Sequence, residues 1–275
     1  MSAIPSGAIA SEEHGSKPVP DSVITGQLKE LSESAAGKGY GPQSPRDIEN
    51  PSGKNRVQFD AAPDRSEMNL CNIHFHEGAE HKGGQFKSFI GNGDGKGFGT
   101  GFKYTGQLTK SELQPIGQKV GSSEHGDLKP GDTIEIHFVH STAQVKPGPT
   151  LGACVSKEIN NPQLRVEAVV AVLVNDRAAA DFTKMADIKT VNGYYSAPNI
   201  PGNLGKPVSY GGSTTGPAYN IKGSPYQVTW SVRPKVVKVD ILSVAKWLSG
   251  NPFNEDHAHG VRNLVLDPAL LSPIR

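Results

Sequence analysis

Apolar and polar residues alternate in short runs through most of this chain. Ile73 and Phe75 are interleaved with Asn72, His74 and His76, and Ile134, Ile136 and Phe138 with Glu135 and His137. A period of two marks strands whose faces differ in character. The pattern predicts strands over residues 71–76, 134–140 and 166–174, and further strands over 226–230 and 236–242. Residues 241–248 can turn helical. Helical spacing recurs near the start, where Val23, Ile24, Leu28 and Leu31 fall within 21–33. Residues 1–39 are otherwise polar and rich in Ser, Gly and Pro, and no internal repeat is present. The expected organisation is an N-terminal arm with one short helix (1–39), then one mixed, mainly β domain (40–275).

Composition narrows the function more than the fold. Lys and Arg number 28 against 27 Asp and Glu, so no basic surface is expected to draw nucleic acid or anionic lipid. No apolar run approaches the roughly 18 residues of a membrane helix. The start, Met1-Ser2-Ala3-Ile4-Pro5, has neither the charge nor the apolar core of a signal peptide. The 32 glycines and 21 prolines suit many turns between short strands. The run over residues 91–101, with glycine at every second position, lacks the Lys-Ser/Thr end of a phosphate loop and the pattern of an EF-hand. It is expected to be a flexible surface insertion, with a calcium or anion site as the alternative. Two cysteines, Cys71 and Cys154, are too few for a disulfide scaffold or a thiolate zinc site. One bridge or two buried thiols both satisfy the count. The bridge is the expectation, and it would favour a periplasmic or secreted protein.

The chemistry lies on the two best-defined strands. On an extended chain His74 and His76 share a face, roughly 6.5–7 Å apart at Cα, so their rings can converge on one ion. His137, backed by Ile136 and Phe138, supplies a third imidazole from the second strand. Three neutral imidazoles with one position left for water make a catalytic zinc site, suited to hydration or hydrolysis. Each ligand ring needs an acceptor for its other nitrogen. Asn72 beside His74 and Glu135 beside His137 are placed to serve. His140 falls on the apolar face and is expected to be a hydrogen-bonded core residue. His81 could be structural. His125, His257 and His259 lie in polar segments and are expected to be solvated.

Several of these segments resemble one family. Gln43-Ser44-Pro45-Arg46-Asp47-Ile48, His74-Phe75-His76, Glu80-His81, Glu135-Ile136-His137-Phe138-Val139-His140, Gly212-Ser213-Thr214-Thr215-Gly216-Pro217 and Val228-Thr229-Trp230 resemble, in order, signature segments of alpha-class carbonic anhydrases. Cys71 ahead of the histidines and the Gly78-Ala79-Glu80-His81 tail resemble the delta class more closely. The resemblance implies a carbonic anhydrase, a lyase that hydrates carbon dioxide reversibly to bicarbonate by attack of hydroxide on Zn2+. It implies the alpha-class fold, a mixed, mainly β domain on a large twisted central sheet with short peripheral helices, and His74, His76 and His137 as ligands. It implies Glu80 as the acceptor that orients a threonine hydroxyl, Thr215 in a gapless match and Thr214 after a shift of one. Val139, Val169 and Trp230 would line the apolar wall that holds carbon dioxide. The chain departs from the alpha class in its short spacing between Gln43 and Asn72, which omits the stretch carrying that class's proton-shuttle histidine. It also carries a longer insertion over residues 82–133. Two other readings remain: a cupin, whose His-x-His-x-x-x-Glu spacing His74, His76 and Glu80 match without its flanking glycines, and a non-catalytic carbonic anhydrase-like module, which would typically have lost a ligand.

Overall fold

The computed structural model describes residues 17–57, 59–215, 218, 220 and 221–274. Residues 1–16, and Gly216 and Pro217 of the threonine loop, lie outside the described residues. The elements in chain order are α1 (Asp21–Ala35), β1 (Asn69–Glu77), β2 (Phe86–Asn92), β3 (Thr100–Tyr104), β4 (Thr133–Ser141), β5 (Leu164–Val174), α2 (Phe182–Met185), β6 (Lys189–Val191), β7 (Tyr194–Ser196), β8 (Val208–Ser213), β9 (Gln227–Val232), β10 (Val237–Asp240) and α3 (Ile241–Leu248).

Six strands form one mixed sheet in the order β1-β4-β5-β9-β8, with β10 also on β5. β1, β4 and β5 run antiparallel in succession. β9 and β10 then lie parallel to β5 one after the other, β9 along Arg165–Ala168 and β10 along Ala171–Val174. The run expected over 236–242 stops at Asp240, whose carboxylate accepts from Leu242 N–H and caps α3. β2–β3 and β6–β7 are separate hairpins.

The alternation is physical. Ile73, Phe75, Ile134, Ile136 and Phe138 pack with Phe182, Val244 and Trp247 from the short helices on one face. Cys71, Val139, Val166, Ala168, Val170 and Trp230 form a second cluster on the other. The register of β1 shifts between Leu70 and Asn72, so Cys71 is the extra residue of a bulge. The bulge lets Leu70 and Ile73 both face the helical side although they are three apart. Beyond it, His74 lies directly opposite His137, and His76 opposite Glu135. Cys71 is disulfide-bonded to Cys154, both fully buried, which ties β1 to the segment after β4.

The glycine-rich loop between β2 and β3 differs from the flexible insertion expected. Gly93 O accepts from Val19 N–H, Gly95 O from the Gln27 side chain and Gly97 O from Val261 N–H, each at 2.8 Å. At Gly97 and Gly101 the backbone of another segment stands where a side chain would be, Val261 O 2.7 Å and Ala79 O 2.8 Å from a Cβ.

Candidate metal centre

His74, His76 and His137 converge, with ring centroids 4.7–5.2 Å apart. Each ring has an acceptor on its outer nitrogen. Asn72 Oδ1 takes His74 Nδ1–H at 2.6 Å, the Gly260 carbonyl takes His76 Nδ1–H at 2.8 Å, and Glu135 Oε1 takes His137 Nε2–H at 2.9 Å. Asn72 has no freedom to flip its amide, because its Nδ2 donates to Gly148 O at 3.1 Å. These bonds fix the tautomers and leave His74 Nε2, His76 Nε2 and His137 Nδ1 as bare lone pairs. His74 Nε2 and His137 Nδ1 face each other at 3.3 Å with no proton between them in these tautomers. Opposed lone pairs repel, and a cation held between them removes the repulsion. The donor set, three imidazole nitrogens within 4.8 Å of one another, suits a tetrahedral zinc with one position left over.

Burial, followed by the neighbouring imidazoles, holds His74 well below the ordinary histidine range. Burial likewise brings His76 down to about 4, against the pull of Glu80. Both are neutral near pH 7, as metal ligation requires.

Two buried carboxylates support the rings. Glu135 accepts from three donors: His137 Nε2–H, His81 Nδ1–H at 2.6 Å and His81 N–H at 3.0 Å. His81 Nε2 lies 2.7 Å from the Tyr210 hydroxyl, which in turn lies 3.0 Å from the Ser44 hydroxyl. Burial acts to raise Glu135, but His81 and the two histidine hydrogen bonds outweigh it and hold it well below the usual carboxylate range. Glu80 accepts from Arg262 N–H at 2.9 Å and from its guanidinium at 3.2 Å on both oxygens. Burial raises Glu80 too, but Arg262, then His76 and His137, bring it to about 2.

The structure corrects several expectations. Val139 and Trp230 are buried on the histidine side of the sheet, and the Trp230 ring lies 5.0 Å from that of His137. Val169 is not there: it pairs with Ile136 and packs in the helical-side core. Val166, Ala168 and Val170, opposite Val139, His137 and Glu135, lie on the histidine side instead, since one step along a strand changes the face. Thr214 is buried and Thr215 exposed, and among the described residues neither hydroxyl is hydrogen-bonded to Glu80. Arg262 holds that carboxylate, because a fully buried guanidinium requires one. His259 is exposed, as expected, yet it stands beside the site. Its ring lies 5.3 Å from that of His74 and 5.8 Å from that of His76, with Nε2 on Glu255 at 2.6 Å. That hydrogen bond raises its pKa against the effect of burial. His257 stands next, 6.3 Å away and nearly parallel. His125 stacks on Phe98 at 3.4 Å. His140 is fully buried with Nδ1 on Phe138 O at 3.0 Å.

Three strand-borne imidazoles beside an apolar wall make a site that could hold a metal for hydration or hydrolysis. The sequence pattern described as Delta carbonic anhydrase matches residues 65–243, well over half of the chain, which belongs to this family. It is a carbonic anhydrase, a lyase, and its general chemistry is the hydration of carbon dioxide. Among solved structures it is similar to the alpha-carbonic anhydrase of Thermovibrio ammonificans in complex with sulfanilamide, at 17% identity over 87% of this chain and 88% of that one, with a TM-score of 0.29. It is also similar to the alpha-carbonic anhydrase of Photobacterium profundum, at 16% identity over 86% of this chain and 93% of that one, with a TM-score of 0.29. No curated protein sequence matches it. Among the described residues no helix is long and apolar enough to cross a membrane.

Proposed function

We propose that the protein is a zinc-dependent carbonic anhydrase in which His74, His76 and His137 hold the ion. The observation that carries this is the set of three convergent lone pairs, each imposed by an acceptor on the far side of its ring. Bound Zn2+ would lower the pKa of a water to about 7, a figure for which carbonic anhydrase is itself the reference case, and so supply a nucleophile at neutral pH. Asn72, the Gly260 carbonyl and Glu135 keep the three rings in their ligating tautomers. Val139, Val166, Ala168, Val170 and Trp230 give uncharged carbon dioxide an apolar surface and keep competing water away from it. Thr215, or Thr214 one residue earlier, orients the attacking oxygen through its hydroxyl. Glu80 takes three donors from Arg262 and keeps one of a carboxylate's roughly four acceptor sites for a hydrogen bond from that hydroxyl. Carbon dioxide and bicarbonate are the small-molecule partners. The buried Cys71–Cys154 bridge supports a periplasmic or secreted location.

Metal analysis of single variants tests the ligand set. His76→Ala and His137→Ala should each fail to retain stoichiometric zinc after dialysis, while the wild type keeps one ion per chain. Full zinc retention in either variant would contradict the assignment.

A further inference from the structure

Residues 259–263 serve two site residues at once. They lie along the free edge of β1, with His259 N–H donating to Phe75 O and Glu77 N–H donating to His259 O, both at 2.9 Å. Gly260 then presents its carbonyl to His76, and Arg262 grips Glu80. Two backbone bonds to an edge strand pin this segment on one side only.

The loop over residues 93–99 meets it from the other side. Val261 N–H donates to Gly97 O at 2.8 Å. Gly97 has φ +112°, and a Cβ there would stand 2.7 Å from the Val261 carbonyl oxygen. A Cβ on Gly260 would stand 3.0 Å from the Gly97 carbonyl carbon. The two backbones touch with no room for a side chain between them. Half-buried Gln27 of α1 joins the pair: its Nε2 donates to Gly95 O at 2.8 Å, and its Oε1 accepts from Asn263 Nδ2 at 2.7 Å. Helix, glycine loop and site segment are thus joined by one side chain and one backbone contact.

We propose that the 93–99 loop, fastened by Gln27, is a clamp that fixes where the Gly260 carbonyl stands against His76 and so sets the affinity of the three-histidine site for its divalent cation. This rests on the metal-site reading above. The carbonyl decides which nitrogen of His76 carries the proton and where the ring points, and a displaced acceptor loosens both. Glu80 Oε1 is 3.6 Å from the same nitrogen, His76 Nδ1, beyond hydrogen-bond reach, and is already held by Arg262. Gly97 and Gln27 are positioning residues that act through Gly260 and touch no reacting atom.

The test compares three variants of the full-length protein, using Zn2+ in chelator competition and Co2+ by its visible absorption, with thermal unfolding measured in parallel. Gly97→Ala should weaken zinc about tenfold and alter the cobalt spectrum. Gln27→Ala should weaken zinc by a smaller factor, about threefold. Gly91→Ala is the control: its φ of +137° is also in the region that side chains avoid, but a Cβ there meets nothing within 4 Å, so its zinc affinity should stay within twofold of wild type. A folded Gly97→Ala with wild-type affinity and spectrum, or one that loses melting temperature alone, would overturn the clamp. If Gly97→Ala does not fold, Gln27→Ala decides, and unchanged affinity there overturns it. A wild-type chain that takes up no zinc overturns the metal-site reading itself, a result distinct from variants that bind as well as wild type.

Discussion

Replacing Glu135 by Gln should weaken metal binding far more than so small a change suggests. The carboxylate takes three donors, two on Oε1 and one on Oε2, and is fully buried. An amide of the same shape has one oxygen. If that oxygen keeps the two histidine N–H groups, the new NH2 faces the His81 backbone N–H, donor against donor. The orphaned N–H costs about 1–3 kcal/mol. The two remaining bonds lose their charge assistance, about 1 kcal/mol each. If the amide flips, its NH2 faces His137 Nε2, and the ring must move its proton to Nδ1, the nitrogen needed for the metal. Either way the part that falls on His137 should weaken zinc by about 10- to 100-fold, or roughly 1.4–2.7 kcal/mol. Chelator competition at neutral pH measures it directly, and thermal unfolding should show the loss at His81 separately. A Glu135→Gln protein whose zinc affinity lies within twofold of wild type would refute the argument that Glu135 sets the state of His137.

Three further outcomes are expected. The Cys71–Cys154 bridge spans 83 residues of sequence, so Cys154→Ala should destabilise the fold by about 4–5 kcal/mol in the chain-entropy model, and alkylation under non-reducing denaturation should find no free thiol in wild type. Burial holds His140 at about 3, so as pH falls the unfolded chain takes up that proton first, and stability is lost from about pH 6.5 down to 3 at up to about 1.4 kcal/mol per unit. The acid limb of a stability curve should therefore be shallower in His140→Leu, and parallel limbs would contradict this. Glu80→Gln and Thr215→Ala should each slow hydration by about 100- to 1000-fold with zinc still bound, and the double variant should resemble the worse single one, because in the proposed mechanism the two residues act together. A crippled Thr214→Ala beside a near-normal Thr215→Ala moves the role by one residue, and full activity in both removes the threonine from the mechanism.

The parts of this fold legible in the sequence are those where side-chain periodicity carries the information. β1, β4 and β5 alternate or run apolar because both faces of the sheet are covered, and their neighbours Asn72 and Glu135 are local to the rings they serve. β8 was not legible: it carries Gly211 and Gly212, and the second has no Cβ because one would overlap the Ser44 hydroxyl at 2.0 Å. The Gly260 carbonyl left no mark in the sequence, since any residue carries a carbonyl. Arg262 could have been sought as the cation that buried Glu80 requires, but 182 residues separate them. Val169 was misplaced because a continuous apolar strand has no alternation from which to read its faces. His259 is solvated as its polar neighbours suggested, but its place beside β1 comes from backbone bonds to Phe75 and Glu77 that leave no mark in the sequence.

The most direct measurement is a zinc titration of metal-free wild-type protein followed by stopped-flow hydration of carbon dioxide, with His137→Ala run alongside. The rate should rise in proportion to zinc, level off at one ion per chain, and stay at background in His137→Ala at every zinc concentration. A metal-free wild-type chain that hydrates at the full rate, or a His137→Ala chain that follows the same titration curve, would contradict the account.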